Sequence, residues 1–287
     1  MKTGLSLPYT YLSESTVKTD EIFISGLGIP DRALTELSSK IEYIELSNFS
    51  TLASTEHIVS AVRKIWKHGL KVSLHPSLPL DVHGKSLTGI YPWLNDLLPE
   101  INTNQDELML NIHALAAIEG DEEQLRKDTI RNLTYINELI LKNTYPLKIA
   151  VELNRSKGEV DPCTTYEGVM DICKQVNSPC LGIGWDFGHT YANYQNNLIL
   201  RVPKENFIEK IIHTHIYDIS PEGKTHWPLT MSVVPLEEYL ELLKRVNYNG
   251  IYMLELQPGR FSEYGNLKEL IFSSIDVLKT AIKKINN

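Results

Sequence analysis

The chain is short of cysteine, of long apolar runs and of clustered positive charge, and each shortage removes a class of protein. Its three cysteines, Cys163, Cys173 and Cys180, are odd in number and lack the close CxxC pairing of a zinc or redox motif, so a reducing compartment is expected. No apolar segment approaches the roughly 20 residues that span a bilayer, so no membrane partner is expected. The short apolar stretch after Lys2 is interrupted by Pro8 and by the polar run from Ser13 to Asp20, which argues against a signal peptide and for a cytoplasmic protein. No dense Lys/Arg run exists; Lys279, Lys283 and Lys284 fall at the end of the last helical pattern, where cations complement the helix dipole. With a formal net charge of −8, nucleic acid is not an expected partner. No Gly/Ser linker or low-complexity run divides residues 1–287, which are expected to form one domain.

What is present is an alternation. Short β-type runs, namely Gly4 to Leu7, Ile41 to Leu46, Lys71 to His75, Leu108 to His113, Lys148 to Leu153, Leu181 to Asp186, Ile211 to Ile216 and Ile251 to Leu256, are separated by amphipathic helical patterns. Leu133, Ile136 and Ile140 trace one such buried stripe, and Leu236, Tyr239, Leu240 and Leu243 another. The segments Leu78 to Gln105 and Thr190 to Glu205 are richer in Pro, Gly, Asn and Tyr and are expected as long loops at the active-site rim. A doubly wound sheet uses the same alternation but favours a glycine-rich turn after the first strand, where this chain has Leu7-Pro8-Tyr9-Thr10. The expected fold is therefore α/β, a single (β/α)8 TIM barrel.

The chelating residues fall at the ends of these strands: His75, His113, Glu152, Asp186 with His189, His215 and Glu255, from the third strand to the eighth. An apolar strand that ends in an ionisable group needs compensation for its desolvation, and a divalent cation supplies it. Mixed carboxylate and imidazole donors suit zinc or manganese, with one to three ions expected. Asp186 followed three residues later by His189 reads as a metal-binding Asp with a nearby His; as a helix cap it would need a helix to start at once, and Thr190 to Tyr194 is a poor beginning for one. His213 and His215 share a face, with His215 at the rim and His213 one layer deeper, where Asp218 is a candidate partner. His57 and His68 lie in a helical stretch and are read as surface or packing residues.

The His75-Pro76 pair, His113 after an apolar strand, Glu152-Leu153-Asn154, Asp186 with His189, His215 to Asp218, and Glu255-Leu256-Gln257-Pro258 together resemble the xylose-isomerase-like barrels. That group includes sugar and sugar-phosphate isomerases and epimerases and the abasic-site nuclease endonuclease IV. The resemblance implies a catalytic metal on Glu152, Asp186, His215 and Glu255, and, by likeness to the nuclease, further ligands in His75, His113, His189 and His226. Lys224 stands where the nuclease has an acidic ligand and the Gly-Glu-Gly is missing, which weighs against abasic-DNA cleavage. The expected function is metal-assisted proton transfer on a sugar or sugar phosphate, with Glu152 and Glu255 as bases and His189 on a substrate oxygen. Trp185, Trp227, Lys224 and Arg260 are candidate substrate contacts, and Tyr91 is a further aromatic that stacks on a base or sugar in the same reading. A phosphodiester hydrolase and a metal-binding barrel without activity are the alternatives.

Overall fold

The structure, a computed structural model, describes residues 2–13, 20–50 and 53–286. The polar run that argues against a signal peptide lies, at 14–19, outside the described residues. Eight parallel strands close into a barrel in chain order: β1 Lys2–Pro8, β2 Tyr43–Phe49, β3 Lys71–Pro76, β4 Leu108–Ile112, β5 Leu147–Glu152, β6 Leu181–Asp186, β7 Ile211–Ile216 and β8 Ile251–Leu254. β1 closes the ring by pairing Lys2 with Ile251 and Leu5 with Leu254. Every expected strand is present, and the fold is the TIM barrel that the alternation predicts.

Pleating decides what each strand residue does, because neighbours point to opposite faces. Outward residues such as Ile44, Leu46, Val72, Leu74, Ile149 and Val151 join the continuous core between barrel and helices. Inward residues Tyr43, Met109, Ala150, Ile251 and Met253 form a separate small apolar floor inside the barrel. Two residues further along the same strands the interior turns polar, with Glu45, Asn111 and Glu152 all buried. The apolar floor keeps water from below, so these groups face the C-terminal mouth.

The helices between the strands carry the stripes and caps expected of them. Thr55–Lys67 starts at Ser54, whose hydroxyl accepts from His57 N, and Glu122–Asn143 starts at Asp121, which accepts from Glu123 N. Leu133, Ile136 and Ile140 are buried on the latter. Two expectations are corrected. The segment Leu78 to Gln105 contains the helices Leu87–Ile90 and Leu94–Asn104, the second with Pro99 inside it, and burial of Leu94, Leu97 and Ile101 outweighs the proline. Thr190 to Glu205 is also not all loop, because the helix Phe187–Gln195 starts directly after β6. Gly188 permits that start: a Cβ there would sit 1.9 Å from Tyr217 Cε2. Among the described residues no helix is long and apolar enough to cross a membrane.

Candidate metal centre

Glu152, Asp186, His215 and Glu255 each bring one donor atom into a group whose atoms lie within 4.8 Å of one another. His215 Nδ1 is 3.4 Å from Glu152 Oε1 and 3.3 Å from Glu255 Oε2. Glu152 Oε1, Asp186 Oδ2 and His215 Nδ1 are buried and have no hydrogen-bond partner. Leaving a buried polar atom unsatisfied costs about 1–3 kcal/mol, so three brought together in one group fit a divalent cation.

The charges respond as a cluster. Burial pushes the Asp186 carboxyl well above its usual range, and the charges of Glu152 and Glu255 push it further. Burial also opposes ionisation of Glu152 and Glu255, but His215, with His113 beside Glu152 and His226 beside Glu255, holds both well below the usual carboxylate range. For His215, burial works against the charge and is outweighed by Glu45, Glu255 and Glu152, which raise it well above an ordinary imidazole.

The other oxygen of Glu152 faces a second pair of donors. Glu152 Oε2 lies 3.3 Å from His75 Nε2 and 3.2 Å from His113 Nε2. His75 Nδ1 is 2.9 Å from Asn111 O, and since a carbonyl only accepts, Nδ1 carries the hydrogen and neutral Nε2 presents its lone pair to the site. Asn111 also donates from Nδ2 to Glu152 Oε2 at 2.5 Å, in a space kept clear by Gly184, where a Cβ would meet Asn111 Oδ1 at 2.4 Å.

Glu45 is a member of this centre that the strand-end pattern misses. It is fully buried, with Oε1 2.7 Å from His215 Nε2 and Oε2 2.9 Å from His213 Nε2, and Ser73 Oγ donates to it at 3.2 Å. His213 thus lies one layer below His215, against Glu45. Asp218 does not serve it: its carboxylate accepts from the backbone N–H groups of Ile219, Met231, Val233 and Val234 and orders that loop. An antiparallel bridge between Asp218 and Trp227 then sets His226, whose Nε2 is 3.2 Å from Glu255 Oε2 and whose ring stacks on Tyr217 at 4.2 Å.

The helix cap that the sequence argues against is present at Asp186, because a helix does start at once after β6. Asp186 Oδ1 accepts from His189 N at 2.6 Å and caps Phe187–Gln195, while Oδ2 stays with the cluster. His189 Nδ1 lies 3.1 Å from Leu153 O, and burial lowers its pKa to about 4, so the ring is neutral at pH 7. His57 and His68 belong to the helix Thr55–Lys67 and its C-terminal cap, and His68 Nε2 meets Asp31 at 3.0 Å.

A cavity of about 640 Å³ opens above the cluster, and His75, His113, Glu152, His189, His226 and Glu255 line it. Of the expected substrate contacts, Arg260 lines it too. Trp185 does not: next to inward Asp186 it must point outward, and it packs on Phe187, Phe207 and Tyr239. Trp227 packs against Phe261 and Tyr264, Lys224 lies over the Tyr264 ring, and Tyr91 is buried against Trp93, so none of the three reaches the cavity wall.

Known proteins share this architecture. A D-tagatose 3-epimerase-like protein superposes with a TM-score of 0.65 at 18% identity over 100% of this chain and 98% of its own. The IolI protein with a bound zinc atom gives 0.62 at 17% identity over 99% and 98%. The D-psicose 3-epimerase from Clostridium cellulolyticum H10, solved with D-tagatose, gives 0.62 at 13% identity over 98% and 99%. An uncharacterized protein from Methanocaldococcus jannaschii is 27% identical over 158 residues, which is 54% of this chain, and the chain spans about half (50%) of that relative's length. The family profile described as xylose isomerase-like TIM barrel matches residues 106–281, more than half of the sequence, and the chain belongs to that family.

Proposed function

We propose that this protein is a divalent-metal-dependent isomerase or epimerase of a sugar or sugar phosphate. The observation that carries the reading is the convergence of buried, unpartnered Glu152 Oε1, Asp186 Oδ2 and His215 Nδ1 beside Glu255, at the base of a cavity of about 640 Å³. A zinc or manganese ion held by these four residues would polarise a substrate carbonyl and acidify the neighbouring C–H bond. Glu152 and Glu255 are both held ionised, on the fifth strand and just past the eighth, so one accepts the proton and the other returns it from a different direction. His189, neutral and with Nδ1 committed to Leu153 O, offers Nε2 to a substrate hydroxyl. The fold shared with an epimerase solved with D-tagatose, and with a zinc-binding barrel, agrees with this choice of substrate and ion.

The test is solvent exchange. Ketoses and ketose phosphates incubated in D2O with the zinc- or manganese-loaded chain should gain deuterium at carbon, and Glu152→Gln and Glu255→Gln should abolish the gain. Absence of exchange across the panel from a fully loaded chain would sink the reading.

A second reading, a phosphodiester hydrolase, is favoured by one feature: Glu152 turns Oε1 to the quartet and Oε2 to His75 and His113, the disposition of a carboxylate bridging two ions. Two ions per chain together with cleavage of bis(p-nitrophenyl) phosphate would move the assignment there. A loaded chain with neither exchange nor cleavage would be a metal-binding barrel without activity.

A further inference from the structure

The cavity above the cluster has two unlike sides. The end of β2 and the loops after β3 and β4, adjacent strands, contribute Phe49, Leu78, Leu80, Ala114 and Leu115, with Ser50 and Ser77 between them. The loops after β5 and β8 contribute Lys157 and Arg260 from the other arc of the barrel. Leu80 is 76% exposed, an apolar side chain offered to the cavity and to water. A sugar hydroxyl turned to an apolar wall loses its water without a replacement hydrogen bond. An apolar substituent gains from the same wall.

The opposite side carries two cations above the carboxylates of Glu152 and Glu255, in a chain whose net charge is −8. Arg260 Nη1 donates to Thr225 O at 3.0 Å and to Thr225 Oγ1 at 2.5 Å, which fixes the guanidinium at the rim. Burial, and then the charge of Arg155, hold Arg260 below its usual range. Neither arginine nor Lys157 makes an ion pair among the described residues. An arriving phosphate takes charge-assisted hydrogen bonds from Lys157 and Arg260.

We propose that the substrate is a phosphorylated compound with an apolar substituent, its phosphate held by Lys157 and Arg260 and its apolar part lying along Leu78, Leu80 and Leu115. The proposal rests on the proposed function only for the sugar between them, which the metal cluster would engage.

Calorimetric titration of the zinc-loaded chain with methylphosphonate and octylphosphonate, two probes that resist hydrolysis, the second long enough to span the cavity, separates the sides. Octylphosphonate should bind at least about tenfold more tightly than methylphosphonate. Lys157→Ala with Arg260→Ala should weaken both probes about tenfold or more, and Leu80→Asn should weaken octylphosphonate alone. Lys157 and Leu80 are both exposed, so Lys157→Ala alone and Leu80→Asn keep the test intact where the double variant fails to fold. Glu152→Gln, which disables the metal centre, should leave both affinities within about threefold. Equal binding of the two probes, binding insensitive to Lys157→Ala, or loss of binding in Glu152→Gln, which would put the anion on the metal, each overturns the proposal. Failure of the deuterium exchange would remove the isomerase reading and leave these affinities unchanged.

Discussion

Glu45 Oε1 lies 2.7 Å from His215 Nε2, and this contact decides which nitrogen of His215 is available to an ion. A carboxylate accepts, so Nε2 carries the hydrogen and Nδ1 is turned toward Glu152, Asp186 and Glu255. Glu45→Gln should therefore lower zinc affinity about 10- to 100-fold while all four ligands remain, read by competition with a chromophoric chelator. Glu45→Ala also strands His213 and His215 in the barrel and should cost about 3 kcal/mol of stability, read by urea unfolding. Unchanged zinc affinity in Glu45→Gln would mean that packing alone orients His215.

Asp186 does two jobs with two oxygens, and substitutions can separate them. Asp186→Asn keeps a side-chain oxygen to cap the helix Phe187–Gln195 and should fold normally while losing the quartet ion. Asp186→Ala loses the cap as well and should be about 1 kcal/mol less stable than Asp186→Asn, with both measured free of metal. Equal unfolding midpoints for the two variants would show that the cap contributes nothing.

Eight strands and their terminal chelators were legible because the strand period and the βα alternation are strong signals, and because inward residues at C-terminal ends must meet in a closed parallel barrel. Glu45 stands apart from that pattern because it lies mid-strand on β2, not at a C-terminal end. Yet a carboxylate between the outward apolar residues Ile44 and Leu46, and so turned inward, is itself a signal, at the depth of His213. Trp185, a candidate substrate contact by sequence, packs among the helices instead, and pleating alone assigns it outward, next to inward Asp186. The helix after β6 was hidden by weak helix formers, and the Asp186 cap together with burial of Phe187 and Asn193 overrides that propensity.

His75 and His113 face the Glu152 oxygen turned away from the quartet, which makes ion counting informative. Each of His75→Asn and His113→Asn should remove one bound zinc per chain and leave the quartet ion, measured by elemental analysis after gel filtration. A single ion in the wild-type chain that survives both substitutions would restrict the centre to Glu152, Asp186, His215 and Glu255.

Proton release should accompany metal uptake. In the metal-free chain the carboxylates of Glu45, Glu255 and Glu152 outweigh burial and hold the His215 imidazole raised, so it is protonated at neutral pH. An ion entering at Nδ1 must expel that proton, so affinity falls as pH falls and rises with pH up to the raised His215 value. Zinc titrations in two buffers of different ionisation heat should show release of about one proton near pH 7. Glu45→Gln, which removes the strongest of these attractions, should reduce that release.

Gly188 links the start of a helix to the position of a histidine. A Cβ on residue 188 would lie 1.9 Å from Tyr217 Cε2 and 2.4 Å from Tyr217 Cζ, so Gly188→Ala forces the tyrosine aside. Tyr217 stacks on His226 with ring centres 4.2 Å apart, and His226 Nε2 reaches Glu255 Oε2 at 3.2 Å. The substitution should cost about 1–3 kcal/mol through overpacking. Because the displaced ring carries His226 with it, deuterium exchange should fall more than that stability loss explains, with kcat reduced and zinc content retained. If exchange falls only in proportion to the fraction unfolded, the Tyr217–His226 stack holds the fold alone and takes no part in placing His226 against Glu255.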